Sequence, residues 1–152
     1  MNHYTTKKLH TNLKVKTLNS YFINILTKTG KKTVAEYLYN RVMFLLKQDY
    51  NENNETILFM VLNKIRPFVS LKTAIIAGTA YKVPIPISVK QQYFMAIQWL
   101  ITNSKKRTER LLSDKLYYEC LETLNEKSIS FKQRLEFNTL VDKNRAFGHF
   151  RW

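Results

Sequence analysis

The apolar residues of this chain recur at helical spacing along almost its whole length and alternate only between Val69 and Ile87. A change of period from about 3.6 to about 2 marks a change of backbone, so the chain reads as helices interrupted once by strand. Val69, Leu71 and Thr73 alternate, Gly78 offers a turn, and Tyr81, Val83, Ile85 and Ile87 alternate again, which predicts a two-stranded β-ribbon over 69–87. Pro84 and Pro86 lie two apart and face the same way, a placement strands tolerate where the missing amide hydrogens would point to solvent. The ribbon is expected to project as an exposed arm.

Three glycines and three prolines punctuate the 152 residues, and their scarcity lets each be read singly. The spacing of Leu18, Tyr21, Phe22, Ile25 and Leu26 predicts a first helix from about Thr17 to Lys28, closing near Gly30. Thr33 with Glu36 has the form of a capping box for a second helix, running to about Gln48. Asn53 is placed to cap a third, whose Ile57, Leu58, Val61, Leu62 and Ile65 share a face and which ends where Pro67 restrains Arg66. Ser88 with Gln91 makes a second box, before a fourth helix with Phe94, Ile97, Trp99, Leu100 and Ile101 that closes in Lys105, Lys106 and Arg107. Thr108 is expected to cap a fifth helix carrying Leu112, Leu116, Cys120, Leu121 and Leu124. Ser130 with Gln133 is expected to open a sixth with Leu135, Leu140 and Val141, leaving 147–152 as a tail. The expected fold is all-α: one domain over 1–152, a six-helix bundle-like body with an inserted ribbon and a basic N-terminal arm over 1–16.

Charge narrows the function classes. The formal net charge is +14, and it is segregated along the chain. Residues 1–35 carry seven lysines (Lys7, Lys8, Lys14, Lys16, Lys28, Lys31, Lys32) and no acid, and residues 56–108 carry eight cations and no acid. The two remaining segments, 36–55 and 109–152, are nearly balanced at −2 and +1. Solvated faces usually mix signs, whereas long acid-free stretches suit a polyanion whose condensed counterions each bound cation releases. No apolar run approaches the roughly 18 residues of a spanning helix, so no membrane partner is expected. Cys120 is the single cysteine and His3, His10 and His149 are scattered, which leaves neither a disulfide nor a metal-ligand set.

Chemistry-bearing motifs are weak. Gly30-Lys31-Lys32-Thr33 resembles the end of a phosphate-binding loop, but position 25 is Ile where a second glycine is required. It reads instead as a basic turn whose lysines and free helix-start amides suit an RNA phosphate. Cys120 falls on an apolar helix face and reads as packing. His149 has no acid or hydroxyl partner pattern, so it reads as a packed or RNA-stacking ring. Glu109, Asp114, Glu119 and Glu122, interleaved with Arg110 and Lys115, read as a solvated face or one meeting a basic neighbour. Tyr81, Phe147, Phe150 and Trp152 stand beside cations where rings can stack on unpaired bases. No catalytic residue, metal or cofactor is expected. A free nucleic-acid regulator that sets a helix pair in a DNA groove is the competing class.

Several ordered blocks resemble the bacterial type of the family of small-subunit ribosomal protein seven. They are Phe22 to Leu26, Gly30 to Glu36, Ile65-Arg66-Pro67, Gly78 to Pro84, Ala96 to Leu100, and the ending Asn144 to Trp152. The resemblance spans about residues 13 to 152. It implies a helical body with a ribbon arm that binds the 3′ major domain of small-subunit rRNA, nucleates assembly of the head, and borders the exit-site tRNA and mRNA path without catalysing anything. Neighbouring head and platform proteins, including those numbered nine and eleven, would contact the body. Carried over by position, the rRNA contacts are Lys7, Lys8, Lys14, Lys16, Lys31, Lys32, Lys72, Lys105, Lys106, Arg107, Arg145, His149, Arg151 and Trp152. Gly78, Thr79, Tyr81 and Lys82 mark the part of the ribbon near tRNA and mRNA.

The chain departs from the type at Ala74 and Ile75, where the family usually has a basic pair, and at Gln91, Gln92 and Gln98, where basic residues are common. Gly148 stands for the usual alanine and Phe150 for the usual tyrosine. Such losses imply a ribosome in which protein has taken over some RNA contact, as in organelles. Eighteen Lys against seven Arg, with abundant Asn, Ile and Tyr, fit A- and T-rich codons. Met1 lies close to the family's start, so no long cleavable presequence is expected. The combination fits a protein encoded in a mitochondrion, with plastid or bacterial cytoplasm as the alternative.

Overall fold

The computed structural model describes residues 18–150. The arm residues Lys7, Lys8, Lys14 and Lys16, and Arg151 and Trp152 of the tail, lie outside the described residues. The first helix, α1, is helical over 18–26 and buries Leu18, Phe22 and Leu26, each one turn from the next. The chain leaves it through Thr29 (φ 52°) and Gly30 (φ 74°), both left-handed. Lys31 N–H donates to the Lys28 carbonyl (3.1 Å) and Lys32 N–H to the Gly30 carbonyl (2.9 Å). Helix α2 (Lys32–Asp49) therefore starts before Thr33, and no side chain caps it. The box expected of Thr33 and Glu36 is not made, because the turn has already satisfied the amides it would serve. Glu36 faces Lys32 instead, at 3.8 Å on the surface. Before α3 (Asn54–Ile65), Asn53 holds the extended cap backbone but lends no side-chain bond.

Strands β1 (Val69–Ile76) and β2 (Thr79–Pro86) pair antiparallel, with Ile76 opposite Thr79. The two-residue loop has positive φ at Ala77 (49°) and Gly78 (80°), the type I′ hairpin geometry. An alanine there costs about 1 kcal/mol relative to a residue at ease in the left-handed region. Ala77→Asn, which creates the favoured Asn-Gly pair, is expected to stabilise the ribbon by about 0.5–1 kcal/mol, seen as slower amide exchange at Ile76 and Thr79.

Ile87 N–H donates to the Phe68 carbonyl, and antiparallel alternation then makes 70/85, 72/83 and 74/81 the bonded pairs. Pro84 and Pro86 fall in the other class, so their missing hydrogens would have pointed outward, as the sequence predicts. The ribbon is not exposed on every side, however. A 3-10 helix over Arg145–Phe150 lies against β2, the Tyr81 and Phe147 ring centroids are 5.0 Å apart, and Val83 is buried. The expected free tail is thus the cover of one side of the expected free arm.

Helix α4 (Val89–Lys105) opens with the capping box expected of Ser88 and Gln91. Tyr93 turns inward where Phe94 was expected, and Phe94 stays 47 % exposed. The Tyr93 hydroxyl explains the choice: it donates to Asn63 Oδ1 (3.1 Å) and accepts from Arg66 (3.2 Å). Helix α5 (Leu112–Leu124) begins four residues later than Thr108 allows and has no side-chain cap. It packs against α2, α3, α4 and α6 and contributes Leu116 and Cys120 to the core. Burial pushes the Cys120 thiol up to about 12, so it is packing rather than a nucleophile.

Helix α6 (Ile129–Lys143) is capped by Ser128, whose hydroxyl accepts from Phe131 N–H, and not by Ser130. Its Leu135 and Leu140 are about half exposed (49 % and 45 %), against the expectation of an apolar core face. A polar seam fixes α6 instead. Buried Asn103 donates to Ser130 Oγ and Gln133 Oε1, and buried Thr123 bonds Ser128. No described helix is long and apolar enough to cross a membrane.

Candidate nucleic-acid interface

Hydrogen bonding divides the described cations into two groups. Arg107 was expected to face RNA, yet its guanidinium reaches Glu109 (3.0 Å), Glu119 (3.0 Å) and Glu122 (2.7 Å), and its side chain is 13 % exposed. Glu119 is fully buried, and its other oxygen accepts from Ser130 N–H (2.9 Å) and Oγ–H (2.6 Å). The acids read as a solvated face are therefore in part the inner side of an ion cluster tying the end of α4 to α5 and α6. Sequence periodicity missed this because Arg107 lies beyond the helix that carries its partners.

Lys64 is similarly occupied by the Leu124 carbonyl and Glu126, Arg134 by the Lys64 carbonyl, and Lys115 by the carbonyls of Lys105 and Arg107. Arg66 lies 5.3 Å from the centroids of both Phe68 and Tyr93. These cations serve the fold.

Lys28, Lys31, Lys72, Lys82, Lys105, Lys106 and Arg145 are exposed. Lys106 touches only the Asn103 side chain, at 3.2 Å. Two of them, far apart in sequence, are brought together. The Lys105 ammonium is held below the ordinary lysine value, first by burial and then by the neighbouring Lys28 ammonium. The fold thus holds two like charges side by side where α1 ends and α4 ends. Lys31 is close by, lining a depression with Lys28, Leu26 and Val34. Lys28 was not among the sequence-derived contacts, since only the packing of α1 against the bundle reveals its neighbour. The amides of Lys31 and Lys32, expected to be free for phosphate, are spent in the turn.

On the ribbon, Lys72 lies opposite Val83 and Thr73 opposite Lys82, so the two lysines project from opposite faces. Tyr81 and Phe147, expected as stacking platforms, pack on each other. His149 Nδ1 lies 2.7 Å from the Ala146 carbonyl within its own turn. Of the positions lacking a basic residue, Gln91 makes the α4 cap and Gln92 is buried, donating to the Ile87 carbonyl (3.2 Å). Gln98 is exposed, Ala74 half-buried, and Ile75 76 % exposed. No group of His, Cys, Asp and Glu able to hold a metal occurs among the described residues.

The chain matches the family model for ribosomal protein S7p/S5e over residues 2–145. It is 34 % identical over 133 residues to small ribosomal subunit protein uS7 of Wigglesworthia glossinidia brevipalpis, covering 88 % of this chain and 85 % of that protein. Against uS7 of Campylobacter concisus it is 34 % identical over 132 residues, covering 86 % and 85 %. Against uS7 of Pelagibacter ubique it is 31 % identical over 130 residues, covering 86 % and 83 %. With most of both chains aligned, the ordered blocks and the ribbon-bearing helical fold have one explanation: the chain belongs to the S7p/S5e family of ribosomal proteins and is a structural component of the ribosome, not an enzyme.

Proposed function

We propose that this chain binds the 3′ major domain of small-subunit rRNA, nucleates assembly of the head, and borders the exit-site tRNA and mRNA path with its ribbon. The observation that carries the RNA-binding part is the convergence of Lys28 and Lys105 with Lys31 beside them. Like charges crowded by the fold repel in the free protein, and a phosphate between them removes that repulsion while releasing counterions. Lys106, Lys72, Lys82 and Arg145 extend the basic surface, whereas Arg107 belongs to the fold. Head and platform proteins meet the helical body. The compartment in this reading is the mitochondrial matrix, supported by the lysine excess over arginine and by the uncharged residues at Ala74, Ile75 and Gln98.

The test is a salt titration of binding to a 3′ major domain transcript. The double variant Lys28→Ala/Lys105→Ala is expected to bind on the order of tenfold more weakly near physiological salt, with the log–log salt slope shallower by roughly 1.5. Its unfolding midpoint should not fall, because the substitutions relieve repulsion. An unchanged slope removes this cluster from the phosphate contacts.

A further inference from the structure

The two edges of the ribbon are not equivalent. The bonded pairs 70/85, 72/83 and 74/81 turn the amides of Leu71, Thr73 and Ile75 outward on β1, and those of Ala80, Lys82, Pro84 and Pro86 outward on β2. Two of the four outward positions on β2 are prolines with no hydrogen to donate, and the 3-10 helix Arg145–Phe150 packs against that strand. Both features blunt an edge against pairing. β1 has no proline, and beyond its base at Val69, where α6 comes close, no described residue pairs with its outer side. In a chain of net charge +14, the stretch from Thr73 to Tyr81 carries no charge at all, and Ile75 is 76 % exposed.

We infer that the outer edge of β1, from Leu71 to Ile75, is a docking site for an extended, uncharged segment of a neighbouring protein in the same subunit, which adds as a third strand. The alternating donors and acceptors of a strand edge match a polypeptide backbone. RNA phosphate would find no cation along this stretch. The ribbon's two faces, each with one lysine, remain available to nucleic acid while the edge takes protein. This rests on the ribosomal reading given above.

Amide exchange on the isolated chain and on the chain within purified small subunits tests it, read residue by residue after quenching. In isolation, Leu71, Thr73 and Ile75 should exchange fast and Lys72 and Ala74 slowly. In the subunit the three outward amides should slow by on the order of a hundredfold, and a photoreactive residue at Ile75 should cross-link to protein. In subunits carrying Thr73→Pro, which like Pro84 and Pro86 spares the internal ladder, the slowing at Leu71 and Ile75 should vanish while Lys72 and Ala74 stay protected. Fast exchange at all three in the subunit, or a cross-link to RNA alone, overturns the inference. Protection already present in the isolated chain does so too, assigning the edge to the chain's own residues, or to a second copy if it grows with concentration. Absence of the chain from small subunits, checked first by sedimentation, overturns the ribosomal reading and this inference with it.

Discussion

Arg107→Ala is expected to lower the unfolding free energy by about 3–5 kcal/mol, the loss that follows when one partner of a buried ion cluster is removed. Glu119, fully buried, would keep its Ser130 bonds but lose its cation. Against a typical total of about 5–15 kcal/mol this is a large fraction, and urea denaturation measures it. Acid sensitivity gives a second readout. The Arg107 guanidinium, by its hydrogen bond, is the first cause holding the Glu122 carboxyl below its ordinary 4.5. A carboxyl with a depressed folded-state pKa stabilises fully above its unfolded value, and that contribution is lost as the pH falls below about 4.5 toward the lower folded value. The parent protein should lose this contribution on acidification, and Arg107→Ala should show a smaller loss over the same window. Equal stability of the two proteins at pH 7 would contradict a structural role for Arg107.

Phe22→Ala should be of similar severity, about 3–5 kcal/mol, because it empties a fully enclosed site. Phe22 is 1 % exposed and its ring lies 5.5 Å from that of Tyr39 on α2. The described part of α1 is short, 18–26, and is held by Leu18, Phe22 and Leu26 alone among its fully buried side chains. Loosening it also displaces Lys28 from Lys105, so RNA affinity should fall in parallel with stability. In that respect it differs from Lys28→Ala/Lys105→Ala, where affinity falls and stability does not. Thermal unfolding and RNA titration on the same samples separate the two patterns.

The helices and the ribbon were readable because their signals are local. Apolar period, the Ser88 box, Pro67 and the Ala77-Gly78 turn each act within a few residues. Helix starts at Thr33, Thr108 and Ser130 were misread for a shared reason: a hydroxyl followed by an acid or amide three residues on is also what a first-turn residue or a seam-forming serine looks like. Ser130 bonds Glu119 across the bundle, and no window on α6 contains Glu119. The interface was readable as a total of charge but not as a pattern. Whether a cation is occupied, like Arg107 and Lys64, or crowded against another, like Lys28 and Lys105, depends on residues up to 77 positions away. Exposed Leu135 and Leu140 make the same point for the core, since apolar spacing cannot tell a helix at the rim from one at the centre.

The central claim, a structural place in the small ribosomal subunit, is tested most directly by sedimenting a lysate of the source compartment through sucrose gradients at high and low magnesium. The account predicts that the chain travels with intact ribosomes when magnesium is high and with small subunits alone when it is low. Migration as free protein, or with DNA, at both concentrations would contradict it.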